Sequence, residues 1–257
     1  MTTTTTILFL LLQYLPHTVS WGPFTHQYFA SLDATYHTSL PFITGGSSPD
    51  AVKKLENALH TFTFAAALYE TATSSNTSSD IEFALGYGCH LAHDYVGHHA
   101  KGFLNPLEDH PLEFAVDTYV ETLSNKPSFN QLTSAMEALI AKTSRSASSV
   151  YPFISKVSLT QVQSSVGAFK KLTTAEHLAI QVNKLFYKSQ LVKDSYCNIS
   201  HVQDAVLNFK RATNWSISAC NFWKDTMQNS GVNGTEAQTM VEKYVDGIFA
   251  AHEESSC

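Results

Sequence analysis

One stretch of this chain limits the folds open to it. From residue 79 to 101, apolar side chains recur at three- and four-residue spacing, the pattern of a helix. The same stretch carries His90, Asp94 and His98. Four residues turn an α-helix by about 400°, so these three stand nearly above one another as one polar ridge. Ala84, Leu91, Ala92 and Val96 make the opposite side small and apolar, which suits tight packing against other helices. Helical spacing also covers residues 25–36, 50–71, 111–125, 130–143, 159–192, 201–217 and 235–252. Stop signals separate them at Gly45–Pro49, residues 72–79, Gly102–Pro106 and Asn229–Gly234. Period-two strands are scarce and no internal repeat is visible. The expectation is an all-α, multi-helix domain over residues 21–257.

Residues 1–20 read differently. They hold no Asp, Glu, Lys or Arg, and their apolar run from Ile7 to Leu15 is too short to stay in a bilayer but suits a signal peptide. Thr18-Val19-Ser20 supplies small residues at −3 and −1, so cleavage after Ser20 makes Trp21 the mature start. Sequons at Asn76, Asn198, Asn214 and Asn233 fit a secreted, extracellular glycoprotein. The four cysteines, Cys89, Cys197, Cys220 and Cys257, permit disulfide bonds; Cys197–Cys220 is favoured because it closes a short loop. None has the CxxC spacing of a thiolate zinc site. The formal net charge is −6 with no basic run, which argues against duplex nucleic acid as a partner. A small substrate or a lipid headgroup at an interface, with peripheral membrane contact, stays compatible.

Histidine is unevenly placed. Of twelve, eight lie between His26 and His110, and imidazole is a common zinc ligand. Asp94, in the middle of the ridge, has two oxygens and can bridge two ions. A free α-amine at Trp21, with the carbonyl of that residue, can close a five-membered chelate near His26. Asp50 follows Gly45–Pro49 and also suits a helix N-cap; His60 also suits an ordinary amphipathic helix. Further on, Glu113 and Asp117 follow His110-Pro111, where acidic residues also suit a helix start. His93 and His99 fall off the ridge and read as structural.

Together these segments resemble the zinc-dependent phospholipase C family. That family is related to the catalytic domain of glycosylphosphatidylinositol-specific phospholipase D and, more distantly, to secreted fungal single-strand nucleases. The resemblance runs from Trp21 to about Asp117. It implies an all-α fold with three zinc ions. Asp50, His60, His90 and Asp94 would hold the first. Trp21, His26 and the bridging Asp94 would hold the second. His98, His110 and a carboxylate, with Glu113 preferred to Asp117, would hold the third. Asp50 is also a candidate base, and Asp94 a catalytic residue through its bridging charge. In several relatives the last carboxylate lies four residues after the histidine, where this chain has Phe114. The resemblance implies a zinc-dependent phosphodiesterase acting on phospholipid headgroups. The alternatives are a nuclease or phospholipase D-type enzyme on the same metals, and a non-catalytic zinc-binding extracellular protein.

Overall fold

The computed structural model describes residues 21–99, 116–118, 120–121, 132–187, 200–229 and 231–253, with side chains not described at 98–99, 182–187, 200–211 and 251–253. The expected signal segment 1–20, and Cys197 and Cys257, lie outside these residues. Among the described residues the fold is all-helical, without strands. In chain order the helices are α1 Pro23–Ser31, α2 Leu40–Gly45, α3 Ser48–Lys53, a 3-10 turn Asn57–Leu59, α4 Phe62–Ser75 and α5 Ser78–His99. After them come α6 Ser134–Val150, α7 Leu159–Tyr187, α8 Ser200–Asn229 and α9 Gly234–Glu253. No described helix is long and apolar enough to cross a membrane.

Helix α5 is the axis of the molecule; α2, α4 and α8 pack along it, and α1, α3, α6 and α9 also reach it. Its inner face is that of the sequence pattern: Phe83, Ala84, Ala92 and Val96 are fully buried, beside Phe42, Phe64, Leu68, Ile140 and Trp223 from other helices. Each such large side chain contributes about 1.5–3 kcal/mol by leaving water. The approach of α2 to α5 depends on two glycines. A Cβ on Gly86 would lie 2.9 Å from the carbonyl carbon of Phe42, and one on Gly45 would lie 2.9 Å from the backbone nitrogen of Tyr87. Only bare backbone lets these helices meet so closely.

Helix α8 closes the other side of α5. Cys89 is disulfide-bonded to Cys220, with Cα atoms 4.5 Å apart. This corrects the expected Cys197–Cys220 pair. Helix α8 runs unbroken from Ser200 to Asn229, so at 1.5 Å per residue its first residue stands about 30 Å from Cys220. A short sequence separation is thus a long distance in space. One turn further, Lys224 forms a buried ion pair with Asp33, and its ammonium lies 5.2 Å from the ring centre of Tyr36. Asp33 also accepts from the N–H groups of Thr35 and Tyr36, at 2.9 and 2.8 Å. The segment between α1 and α2 is therefore pinned to α8.

The expected single helix over 50–71 is two helices with a break. The first ends at Lys53, and Thr61 starts the second: its hydroxyl accepts from Phe64 N at 3.2 Å and caps α4. Nor is Asp50 a cap. Ser47 holds that position in α3, and Asp50 lies in the first turn. Helix α2 begins at the Ser39 cap, with Pro41 in its first turn, and ends at the expected stop signal, Gly45 and Gly46.

Candidate metal centre

Four short pieces of chain bring the site together. Helix α1 supplies His26, α3 supplies Asp50, the break before α4 supplies His60, and α5 supplies His90 and Asp94. The break matters because a helical His60 would be locked to the face of its neighbours. In the turn, its ring reaches the centre. Tyr87, one turn before His90, fixes that turn by donating its hydroxyl to Leu59 O at 2.8 Å.

Asp50 Oδ1, His60 Nε2, His90 Nε2 and Asp94 Oδ2 converge. His60 and His90 nitrogens are 3.0 Å apart. Asp94 Oδ2 lies 3.1 Å from His60 and 3.2 Å from His90. Asp50 Oδ1 lies 3.7 Å from His60 and 3.6 Å from His90. Bonds of about 2.0–2.1 Å to a tetrahedral ion give ligand–ligand edges of ~3.3 Å. These five separations bracket that value. His90 Nδ1 lies 2.8 Å from Gly46 O and gives its proton there, so it is Nε2 that offers a lone pair once the ring is neutral. A cation would satisfy these carboxylates and the imidazole lone pairs together. Two overlapping sets, His60 with His90 and Asp94, and His26 with Asp50 and His90, could each hold a metal ion.

Asp94 divides its oxygens. Oδ2 faces the group just described and Oδ1 lies 3.0 Å from His26 Nε2. His26 and His90 are fully buried, with ring centres 3.8 Å apart. Asp50 Oδ1, both Asp94 oxygens and both His26 ring nitrogens are shut off from solvent, and none makes a hydrogen bond of good geometry. Solvent reaches the centre at His60, whose side chain keeps 14% of its exposure.

The electrostatics follow from burial and crowding. Burial pushes Asp94 up, but the imidazoles of His90 and His26 outweigh it and hold the carboxyl well below its ordinary range. Burial pushes His90 down, yet the charges of Asp94 and Asp50 raise it overall. His26 ends lowered, by burial and then by His90. Asp94 is thus held as an anion, and His26 gives up its proton more readily than a free imidazole, which favours ligation.

Further residues of α5, and Trp21, back this centre. His93 is fully buried behind His26, its ring 5.8 Å away, and burial followed by the two nearby histidines holds it well below its usual pKa. Trp21 is buried, donates its indole N–H to His93 O at 2.9 Å and packs on Gly97. Residue 21 therefore sits beside residues 93–97 of α5. Asp117 is fully buried and occupied elsewhere. It accepts from Thr25 N at 2.9 Å, from the Thr25 hydroxyl and from Phe24 N at 3.4 Å. Gly22 offers no side chain to cap α1, so Asp117 caps it from a distant part of the chain.

Of the expected ligands, His26, Asp50, His60, His90 and Asp94 are brought together, with Trp21 held next to them. The side chain of His98, and His110 and Glu113 entirely, lie outside the described residues. Gly46 gave no sequence signal because it acts through its backbone. Comparison of the chain with protein-family models, curated proteins and solved structures finds no match.

Proposed function

We propose that the chain is a secreted zinc-dependent phosphodiester hydrolase of the phospholipase C type. The observation that carries this is the convergence of His60, His90 and Asp94 within 3.0–3.2 Å of one another, with Asp50 Oδ1 3.6–3.7 Å from both imidazoles. Hard and borderline N/O donors of this kind suit zinc. Asp94 Oδ1 and His26 would serve a second ion with the α-amine and carbonyl of Trp21, which the buried indole holds beside α5. His98, His110 and Glu113 would complete a third. Bound zinc would supply Lewis acidity toward a phosphoryl oxygen and acidify bound water toward neutral pH.

The chain's own groups have distinct parts. Gly46 O fixes the His90 tautomer, so that Nε2 is always the ligating atom. Asp94 keeps a negative charge across neutral pH and would hold two ions at a fixed separation. Asp50 lies near the opening at His60, and only a carboxylate oxygen that the ion leaves unbound could take a proton from an attacking water. The buried His26–His90 pair keeps bulk water from the rear of the centre.

Metal analysis of the secreted protein, with a panel of phosphatidylcholine, a soluble phosphodiester and single-stranded DNA and RNA, tests the proposal. Bound zinc with release of diacylglycerol is the expected result. Zinc with preferred cleavage of single-stranded nucleic acid would establish the nuclease reading instead. Zinc without turnover on any substrate would make the protein a binder, and absence of zinc would overturn the metal centre itself.

A further inference from the structure

Acidic side chains avoid one part of this molecule. From residue 138 to 175 there is no Asp or Glu, whereas Lys142, Arg145, Lys156, Lys170 and Lys171 fall there. The stretch contributes +5 to a net charge of −6, which leaves −11 for the remainder. All five cations are exposed. They follow the end of α6, the connection to α7 and the first half of α7. Lys142 and Arg145 lie a turn apart on α6. Lys170 lies eleven residues after Leu159, three turns along nearly the same face of α7.

The same place exposes apolar side chains. Val150 is 67% accessible, Phe153 55% and Leu159 38%. This is not slack chain. Ile154 and Val157 are buried on either side of Ser155 and Lys156. Val157 N–H donates to Ser144 Oγ at 3.1 Å, tying the connection to α6. Ser158 and Gln161 then form a reciprocal capping box, with Ser158 N to Gln161 Oε1 at 2.9 Å and Gln161 N to Ser158 Oγ at 3.2 Å. Anchored inward at 154 and 157, the connection holds Phe153 and Lys156 outward. Glu137 flanks the patch from α6, accepting from Gln163 Nε2 at 3.4 Å. The hairpin is also fastened to the metal centre: Ser165 donates to Ala51 O at 2.7 Å, the residue after Asp50.

We propose that this basic, apolar-tipped hairpin is the surface by which the protein sits on an anionic lipid interface. It rests on the phospholipase reading for its purpose, though binding itself needs no turnover. Cations paired with protruding apolar side chains match a surface of negative headgroups over an acyl layer. A nucleic acid would answer the charge equally well. It would not answer Val150 and Leu159, whose aliphatic tips offer no plane on which a base could stack.

The test is co-sedimentation of the intact secreted protein with two kinds of vesicle, phosphatidylcholine alone and phosphatidylcholine with phosphatidylserine, at low and high salt. Wild type should bind the second kind preferentially and lose binding as salt rises. Phe153→Ser should weaken binding about tenfold or more. The triple variant Lys142→Glu, Arg145→Glu, Lys156→Glu should abolish the preference for phosphatidylserine. Both should melt like wild type and turn over a soluble phosphodiester normally, since all four side chains are exposed. Vesicle binding without turnover in wild type would sink the proposed activity and leave this surface standing. Failure of wild type to bind, or unchanged binding in both variants, would overturn the surface. Equal affinity for polyuridylate, insensitive to Phe153→Ser, would overturn it too, in favour of a polyanion site.

Discussion

Gly86→Ala puts the link between packing and metal binding to a quantitative test. The new methyl carbon would stand 2.9 Å from the carbonyl carbon of Phe42. Relaxed carbon contacts are roughly 3.5–4.0 Å, and the Phe42 carbonyl oxygen would stand closer still, so α2 and α5 would have to part by about 1 Å or more. The obstructing atoms are helix backbone and cannot rotate away, so the cost falls at the upper end of overpacking, ~3 kcal/mol. Alanine's better helix propensity returns about 1 kcal/mol. The net expected loss is about 2 kcal/mol. A second effect follows, because Gly46 terminates α2 and its carbonyl holds His90 Nδ1 at 2.8 Å. Displacing it should weaken metal binding about 10- to 100-fold, as losses of such outer hydrogen bonds do. Gly167→Ala is the control: it lies in α7 with nothing within 4 Å of a new Cβ, and should stabilise by ~0.5–1 kcal/mol. Urea denaturation and competition with a zinc chelator measure the two effects. If Gly86→Ala matched Gly167→Ala in both, the close approach of α2 to α5 would be wrong.

Asp94→Asn should fold but lose most bound metal and activity, since an amide is no bridging anion; elemental analysis and phosphodiester turnover check this. Cys220→Ala should cost about 2–5 kcal/mol in denaturant unfolding, as a disulfide spanning 131 residues implies. Asp117 gives a pH signature: burial, opposed by the hydrogen bonds from Thr25 and Phe24, raises its carboxyl from 3.8 to about 7. The folded protein therefore keeps a proton that the unfolded chain releases, so this group's contribution to stability falls as pH rises through that window. In Asp117→Asn, whose amide oxygen still caps α1, that part of the decline should vanish from melts taken across the window. An extra residue ahead of Trp21 should remove one metal equivalent and most turnover if the α-amine ligates; full zinc content in the extended form, checked by N-terminal mass, would refute that.

The ridge of α5 is legible in the sequence because helical period and chemistry coincide there. His90 and Asp94 need no tertiary information to be placed on one face. Asp50 and His60 are legible as ligands but not in their local structure, because the break at Glu56–Thr61 depends on a short turn that apolar spacing runs straight across. The disulfide escapes for a related reason. Separation along the chain is a poor guide to pairing, since the partner of Cys220 is Cys89, 131 residues away. Lys224 carries a subtler signal: it shares the buried stripe of Cys220, Trp223 and Met227, where a cation needs a buried partner. Asp117 carries none, since nothing in residues 21–25 announces that the cap of α1 is to come from about ninety residues away.

Helix α8 makes the metal centre a property of the whole chain. Every ligand candidate in the described residues lies between Trp21 and Asp94, which invites the idea of a compact module that could be cut out or grafted elsewhere. The packing opposes that idea. Cys220 bonds the residue next to His90, Trp223 fills the space over Gly88, and Lys224 neutralises the buried Asp33 between α1 and α2. A fragment ending at His99 would carry all five converging side chains and none of these supports. During synthesis the ligands emerge first and their scaffold last, so the centre can assemble only when the chain is nearly complete.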